Sequence, residues 1–336
     1  MPLRGTNESD RGVMKRLARC RLAAPILVAF VGLHSHAQSF PDKPVRIIVA
    51  QAAGGGVDTL ARLAAQKMSE SFGQPVIVEN KPGAGGIIGT TFVTKAPADG
   101  YTLLMAPIGN IVFTQILNTK LPYSAQRDLT PISLLASFPL ILVVNGSQPF
   151  RTVQDLVGYM KANPAKSNYG GSGPAFQFAT ELFKIKTNTT AEFIQYKSTS
   201  EVITALIAGD LLLALADTGP AHEPIAGGRL RALAVTSPSR LPSLPTVPTM
   251  AEVGLPDLQI QYWVGLFAPT GTPPPVVKKL EAEMMRIAAL PEIASRTVSI
   301  QVSPVGSSGE EFANVLAADL TPWSAVARTA GIKPNE

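Results

Sequence analysis

VRIIVAQAAGGGVDTLARLAAQKMSESFGQPVIVENKPGAGG, residues 45–86, decides how this chain folds. VRIIVA at 45–50 is branched, apolar and bounded by Pro44, and it predicts a buried parallel strand. QAAGGGVD at 51–58 is a loop. Leu60, Leu63, Ala64, Met68 and Phe72 then recur at helical spacing, and Gly73 stands where a helix stops. PVIVEN at 75–80 is a second strand, and KPGAGG at 81–86 is a second glycine loop.

The same alternation continues outward. IIGTTFVTKA predicts a short helix, and TLLMAP at 102–107 a third strand, so this part is an α/β unit with a mostly parallel sheet. A second α/β unit begins after about residue 138. Its strands are LILVVN at 140–145, EFIQY at 192–196, LLLALAD at 211–217 and LRALAV at 230–235, with a strand end and loop in SNYGGSG at 167–173. Helices around VQDLVGYM, FQFATELFKIK and EVITALIAG lie between them. SRLPSLPTVPTMAEVG at 239–254 holds too many prolines for regular interior structure and predicts a surface connection. YWVGLFAP at 262–269 is again a strand, and two helices follow, the first opened by Pro273–Pro275 and the second ending at Gly331. The expected organisation is a leader at 1–37, a first domain from 38–138 plus 258–336, and a second from 139–257. Strands near 138–145 and 258–268 form the hinge, with a cleft at the strand C-termini.

Residues 14–37 read as an export signal. Lys15, Arg16, Arg19 and Arg21 form its basic start, Leu22 to Leu33 its apolar core, and Ser35-His36-Ala37 a small-x-small cleavage site. The expected location is the periplasm, with the mature chain starting near Gln38. Six basic residues against Glu8 and Asp10 place +4 of the formal net charge of +5 within residues 1–37. No basic stripe is left to bind nucleic acid. The only cysteine, Cys20, also lies in the leader, which excludes a disulfide framework, a thiol nucleophile and cysteine-ligated metal from the mature chain. Of three histidines only His222 lies beyond the leader, too few for a histidine metal cluster. There is no GxSxG, GxGxxG or P-loop ending, which argues against a serine hydrolase and a nucleotide site.

The remaining chemistry lies in loops. Gly54-Gly55-Gly56 and Gly83-Ala84-Gly85-Gly86 each sit between a strand and a helix, and read either as tight turns or as nests of N–H groups for an anion. Asp58 reads as an N-cap or a support for the first loop. Ser172 in GGSGP is a ligand contact or a turn residue, and Asp217 either faces the cleft or caps the next turn. Phe176, Tyr196 and Trp263 are core or ligand wall, as are Tyr169, Phe178 and Tyr262.

GGGVDTLARLAAQKM at 54–68, GQPVIVENKPGAGGIIGT at 73–90, ADGYTLLMAP at 98–107 and AGGRLRALAVTSPSRLPSLPTVPTMAEVGLP together resemble the periplasmic solute receptors of tripartite tricarboxylate transporters, the Bug family. The resemblance covers roughly 40–332. It implies a periplasmic-binding-protein-like (Venus-flytrap) fold, a small carboxylate ligand, no enzymatic activity, no cofactor, a membrane transporter as partner, and a monomer. A signalling or orphan receptor of the same fold, or an exported hydrolase, are the alternatives. Carried onto this chain, the ligand is expected at Ala53, Gly54, Gly55, Val57, Asp58, Gly83, Ala84, Gly85, Gly86 and Asn110 in the first domain. In the second, the expected residues are Ser172, Gly173, Pro174, Ala175, Phe176, Gln177, Tyr196 and Asp217, with Trp263 at the hinge. The chain departs from the family at Val57 and at Pro174–Gln177, where hydroxyl and histidine positions are lost. Fewer donors there favour a ligand with an apolar or aromatic body and one strong anionic end.

Overall fold

The computed structural model describes residues 40–298 and 302–334. The export signal, its cleavage site and Cys20 lie outside the described residues.

β1 (Val45–Val49) is almost wholly buried and leads into α1 (Gly56–Phe72). α1 turns Val57, Leu60, Ala61, Ala64, Ala65 and Met68 into the core, and ends at Gly73 in the left-handed region (φ 65°). β2 (Val76–Asn80) follows, then α2 (Ile87–Thr94) and β3 (Thr102–Pro107). β2 and β3 flank β1, both parallel to it, as the alternating pattern predicts. A π-helical turn at Gly109–Phe113 runs into α3 (Thr114–Leu117), and α4 (Ala125–Asp128) precedes β4.

β4 (Leu129–Asn145) is a single strand of 17 residues that serves both lobes. Residues 129–139 pair with β9 (Gln261–Pro269), whereas Leu140–Asn145 pair with β7 (Ala214–Asp217) and β8 (Leu230–Val235). The second lobe also contains α5 (Val153–Ala162), β5 (Asn168–Gly171), α6 (Pro174–Thr187), β6 (Glu192–Gln195), α7 (Thr199–Ala208) and α8 (Thr218–Ala226). β5 and β6 pair in parallel, and Tyr169 of β5 bridges to Leu213 beside β7. After β9 the chain adds α9 (Pro274–Ala288), α10 (Pro291–Val298), the two-residue β10 (Ser303–Pro304) and α11 (Gly309–Thr329).

The first-lobe sheet has the order β10-β4-β9-β3-β1-β2. The expectation of a mostly parallel sheet is corrected here. β9 is antiparallel to both β3 and β4, and β10 is antiparallel to β4, so only β1, β2 and β3 are parallel. The reason is topological: β4 leaves the lobe and β9 returns to it, and neither comes from a strand–helix–strand crossover. Aromatic packing joins the elements behind the cleft. Phe113 stacks on Phe178 of α6 at 4.7 Å and meets Trp323 of α11 edge-on at 5.2 Å. Each such fully buried large side chain contributes roughly 1.5–3 kcal/mol.

Candidate functional site

A cavity of about 740 Å³ opens where the strand C-termini of both lobes meet. That is ample for a small organic molecule. Its wall is mainly apolar, and among the described residues it contains no Lys, Arg or His and a single carboxylate, Asp217.

The first-lobe wall starts at the N-terminus of α1. Gly56, Val57 and Leu60 line the cavity, with Gln51 and Ala52 before them. Gly55 is the extended N-cap and offers no side chain to the first N–H groups of α1. These donors, at the positive end of a 17-residue helix, suit an anion. Asp58 faces the other way. Its carboxylate accepts from the Gly54 N–H at 2.9 Å, Arg62 Nε at 3.0 Å and Asn80 Nδ2 at 2.9 Å, and so ties the loop to α1 and β2. Burial alone would raise the Asp58 carboxyl, but the bonds from Arg62, Gly54 and Asn80 outweigh it and hold it below its ordinary range.

The second glycine loop adds Pro82, Gly83, Gly85 and Gly86. Gly85 and Gly86 adopt φ of 63° and 94°, a region that glycine enters freely. The loop is clamped from below: Asn110 Nδ2 donates to the Gly85 carbonyl at 2.6 Å and Thr114 Oγ1 at 3.1 Å. Asn110 Oδ1 is buried without a hydrogen-bond partner.

The second-lobe wall contains Ser172, Gly173 and the first turn of α6, Pro174–Phe176, with Thr199 of α7 and Asp217. Thr199 Oγ1 donates to Asp217 Oδ2 at 3.1 Å, and Ser172 Oγ lies 3.1 Å from Thr199 Oγ1. Burial pushes the Asp217 carboxyl up to about 6, against the opposing bond from Thr199. Thr218, Gly219 and Pro220 of α8 continue this wall. Phe138 of β4, with Tyr262 and Val264 of β9, completes the cavity, and the Tyr262 hydroxyl donates to the Ala175 carbonyl at 2.5 Å.

Of the residues expected at the ligand, Val57, Gly83, Gly85, Gly86, Asn110, Ser172, Gly173, Pro174, Ala175, Phe176 and Asp217 share this cavity. Ala53, Gly54, Gly55, Asp58, Ala84, Gln177, Tyr196 and Trp263 stand off its wall. Trp263 is core: it packs edge-on against Phe312 at 5.0 Å and donates to Asp319 at 2.7 Å. Tyr196 packs against the second-lobe cluster around Val202 and Leu206. Thr114, Phe138 and Thr199 line the cavity without having been singled out in the sequence. Thr199 had a usable signal, since it opens a helix directly after a strand, as the glycine loops do. Among the described residues no group of His, Cys, Asp and Glu is placed to hold a metal ion.

The family model for the tripartite tricarboxylate transporter family receptor matches residues 60–332. The "UPF0065 protein in tcbD-tcbE intergenic region" of Pseudomonas sp. (strain P51) is 34% identical over 316 residues, covering 92% of this chain and 94% of its own length. A solved structure described as a periplasmic transporter is 33% identical with a TM-score of 0.77, covering 88% of this chain and 99% of that one. The R. palustris protein Rpa4515, solved with adipate, is 31% identical with a TM-score of 0.78, covering 88% of this chain and 100% of that one. The shared architecture is the periplasmic-binding-protein-like fold with two α/β domains.

Proposed function

The chain belongs to the tripartite tricarboxylate transporter receptor family, and we propose that it captures a small organic carboxylate in the periplasm and presents it to the membrane components of such a transporter. It is a binding protein and not an enzyme. The observation that carries the reading is the cavity wall. The N-terminus of α1, whose first N–H groups no side chain caps, and Gly83, Gly85 and Gly86 of the second glycine loop line a cavity with no basic side chain among its described residues. An anion held there is bound by aligned peptide dipoles, as at other helix N-termini. Adipate in the R. palustris relative is a carboxylate of suitable size and supports the class.

In this reading the first domain, 38–138 with 258–336, receives the carboxylate, and the second, 139–257, closes over the remainder. β4 and β9 take up the rotation, because the chain passes into the second domain through β4 and returns to the first at β9. The closed form is the one the membrane partner recognises. Phe138, Phe176 and Tyr262 provide an apolar side for the ligand body, which favours a chain or ring over a compact polyanion.

The test is a thermal-shift screen of the chain from Gln38 onward against aliphatic and aromatic mono-, di- and tricarboxylates and acidic amino acids. A ligand that binds only the folded state raises its melting temperature by mass action. A saturable shift with one carboxylate class, and loss of uptake of that compound on deleting the gene, is the expected result. Absence of any shift across the panel overturns the carboxylate reading.

A further inference from the structure

The second-lobe wall holds a short chain of oxygens whose protons are already committed. Thr199 has one hydroxyl proton and gives it to Asp217 Oδ2 at 3.1 Å. The 3.1 Å contact between Thr199 and Ser172 is then donated by Ser172. Ser172 Oγ and Asp217 Oδ1 are left as acceptors only, and all three residues line the cavity. Asp217 also stands directly before α8 as its N-cap, yet its side chain makes no capping bond and turns to Thr199 instead. The Asp217 carboxylate is thus held on the cavity wall by Thr199 and not at the first N–H groups of α8.

Resting on the carboxylate reading above, we propose that Asp217, with Thr199 and Ser172 behind it, determines specificity. It selects monocarboxylates whose far end carries a hydrogen-bond donor, a hydroxyl or an amino group, over ligands with a second ionised carboxylate. The glycine loops take the anionic end, and Asp217 accepts from the donor. A dianion would set two carboxylates side by side, a pair that shares one proton and does not ionise twice. Such a ligand enters only with proton uptake, so its affinity falls as the pH rises.

The raised Asp217 carboxyl agrees with this placement, since it titrates at about 6, within reach of ordinary buffers. The titratable group facing it is Tyr262 of β9, whose phenol burial keeps protonated, with the charges of Asp217 and of Asp319 on α11 acting in the same direction. Thr199 of α7, Ser172 after β5 and Thr218 of α8 are its uncharged neighbours on this wall.

The experiment is titration calorimetry on the purified protein with two matched series: benzoate, para-hydroxybenzoate and terephthalate, and hexanoate, omega-hydroxyhexanoate and adipate. Near pH 8 the hydroxy acid of the better-fitting series should bind about tenfold or more tightly than its unsubstituted parent, as a hydrogen bond to a charged acceptor allows. The dianion should bind weakest there, gain affinity as the pH falls toward about 5, and take up a proton from buffer. Asp217→Asn should abolish both the hydroxyl preference and the pH slope. Thr199→Val, which keeps the carboxylate but removes its donor, should move the slope to higher pH. A dianion that binds wild type as tightly as the hydroxy acid near pH 8, with no proton uptake, overturns the proposal. So does an unchanged ligand ranking in a folded Asp217→Asn protein, or an unmoved slope in Thr199→Val. If none of the six compounds binds wild type while another carboxylate raises its melting temperature, this inference falls and the carboxylate reading stands; if no carboxylate does, both fall.

Discussion

Gly86 shows how tightly one residue sets the cavity wall. Its φ of 94° disfavours any side chain, and a Cβ placed there would lie 2.3 Å from Asn110 Nδ2. Gly86→Ala therefore both strains the backbone and displaces the side chain that clamps the second glycine loop. Chemical denaturation should show a loss of about 2–4 kcal/mol, and carboxylate affinity should fall with it. Asp217 makes the opposite kind of prediction. Its carboxyl ordinarily titrates at 3.8 and is raised to about 6 by burial, so between those values the folded state holds a proton that the unfolded state has lost. Stability from this group is fully present at lower pH and drains away as the pH rises through that window. Asp217→Asn has no charge to bury. Its melting temperature without ligand should match wild type near pH 4 and exceed it above about pH 7. The glycine positions were legible from sequence because only a few loop geometries accept runs of glycine. Asp217 was legible only as one of two alternatives, since a carboxylate ending a strand reads equally as cap or cleft residue.

At the level of elements, local rules account for most of what forms. α5 and α11 both open on a complete capping box, Thr152 with Asp155 and Ser308 with Glu311. Thr152→Ala should cost about 1 kcal/mol in urea unfolding, and Ser308→Ala a similar amount, neither with an effect on ligand affinity. β4 is the element that local rules half conceal. Only 140–145 reads plainly as strand, because Pro131 and Pro139 demote the residues before it. The structure accommodates them at the edges of regular pairing. The register with β9 shifts between Pro131 and Ser133, and Pro139 faces Gln261 at the end of that ladder. α8 was missed for the same reason: Pro220 and Pro224 interrupt TGPAHEPIA, yet Pro220 falls in the first turn, where no N–H is needed. Sheet direction was read correctly for β1, β2 and β3 but not for β4, β9 and β10, because periodicity reports a strand but not the way it runs.

For the whole molecule, the cavity is a product of two lobes joined through β4 and β9. Tyr262 illustrates what that hides from sequence: it pairs with Phe138 across the two strands, lines the cavity and reaches the Ala175 carbonyl of the other wall. No local pattern announces such a role, whereas the strand-end loops could be placed from alternation alone. Small-angle scattering on adding a saturating carboxylate should show a smaller radius of gyration than for the free protein, as closure requires. An unchanged radius would mean that the ligand is taken up without relative movement of the lobes. The order of strands also governs when the protein comes into being. β9 lies between β3 and β4 in the middle of the first-lobe sheet, yet it begins only at residue 261. A nascent chain that has emerged through the second lobe still has an open gap where that strand belongs, and such distant pairings form slowly. Completion of the first-lobe sheet is thus deferred to the last quarter of synthesis, after every strand of the second lobe has been made.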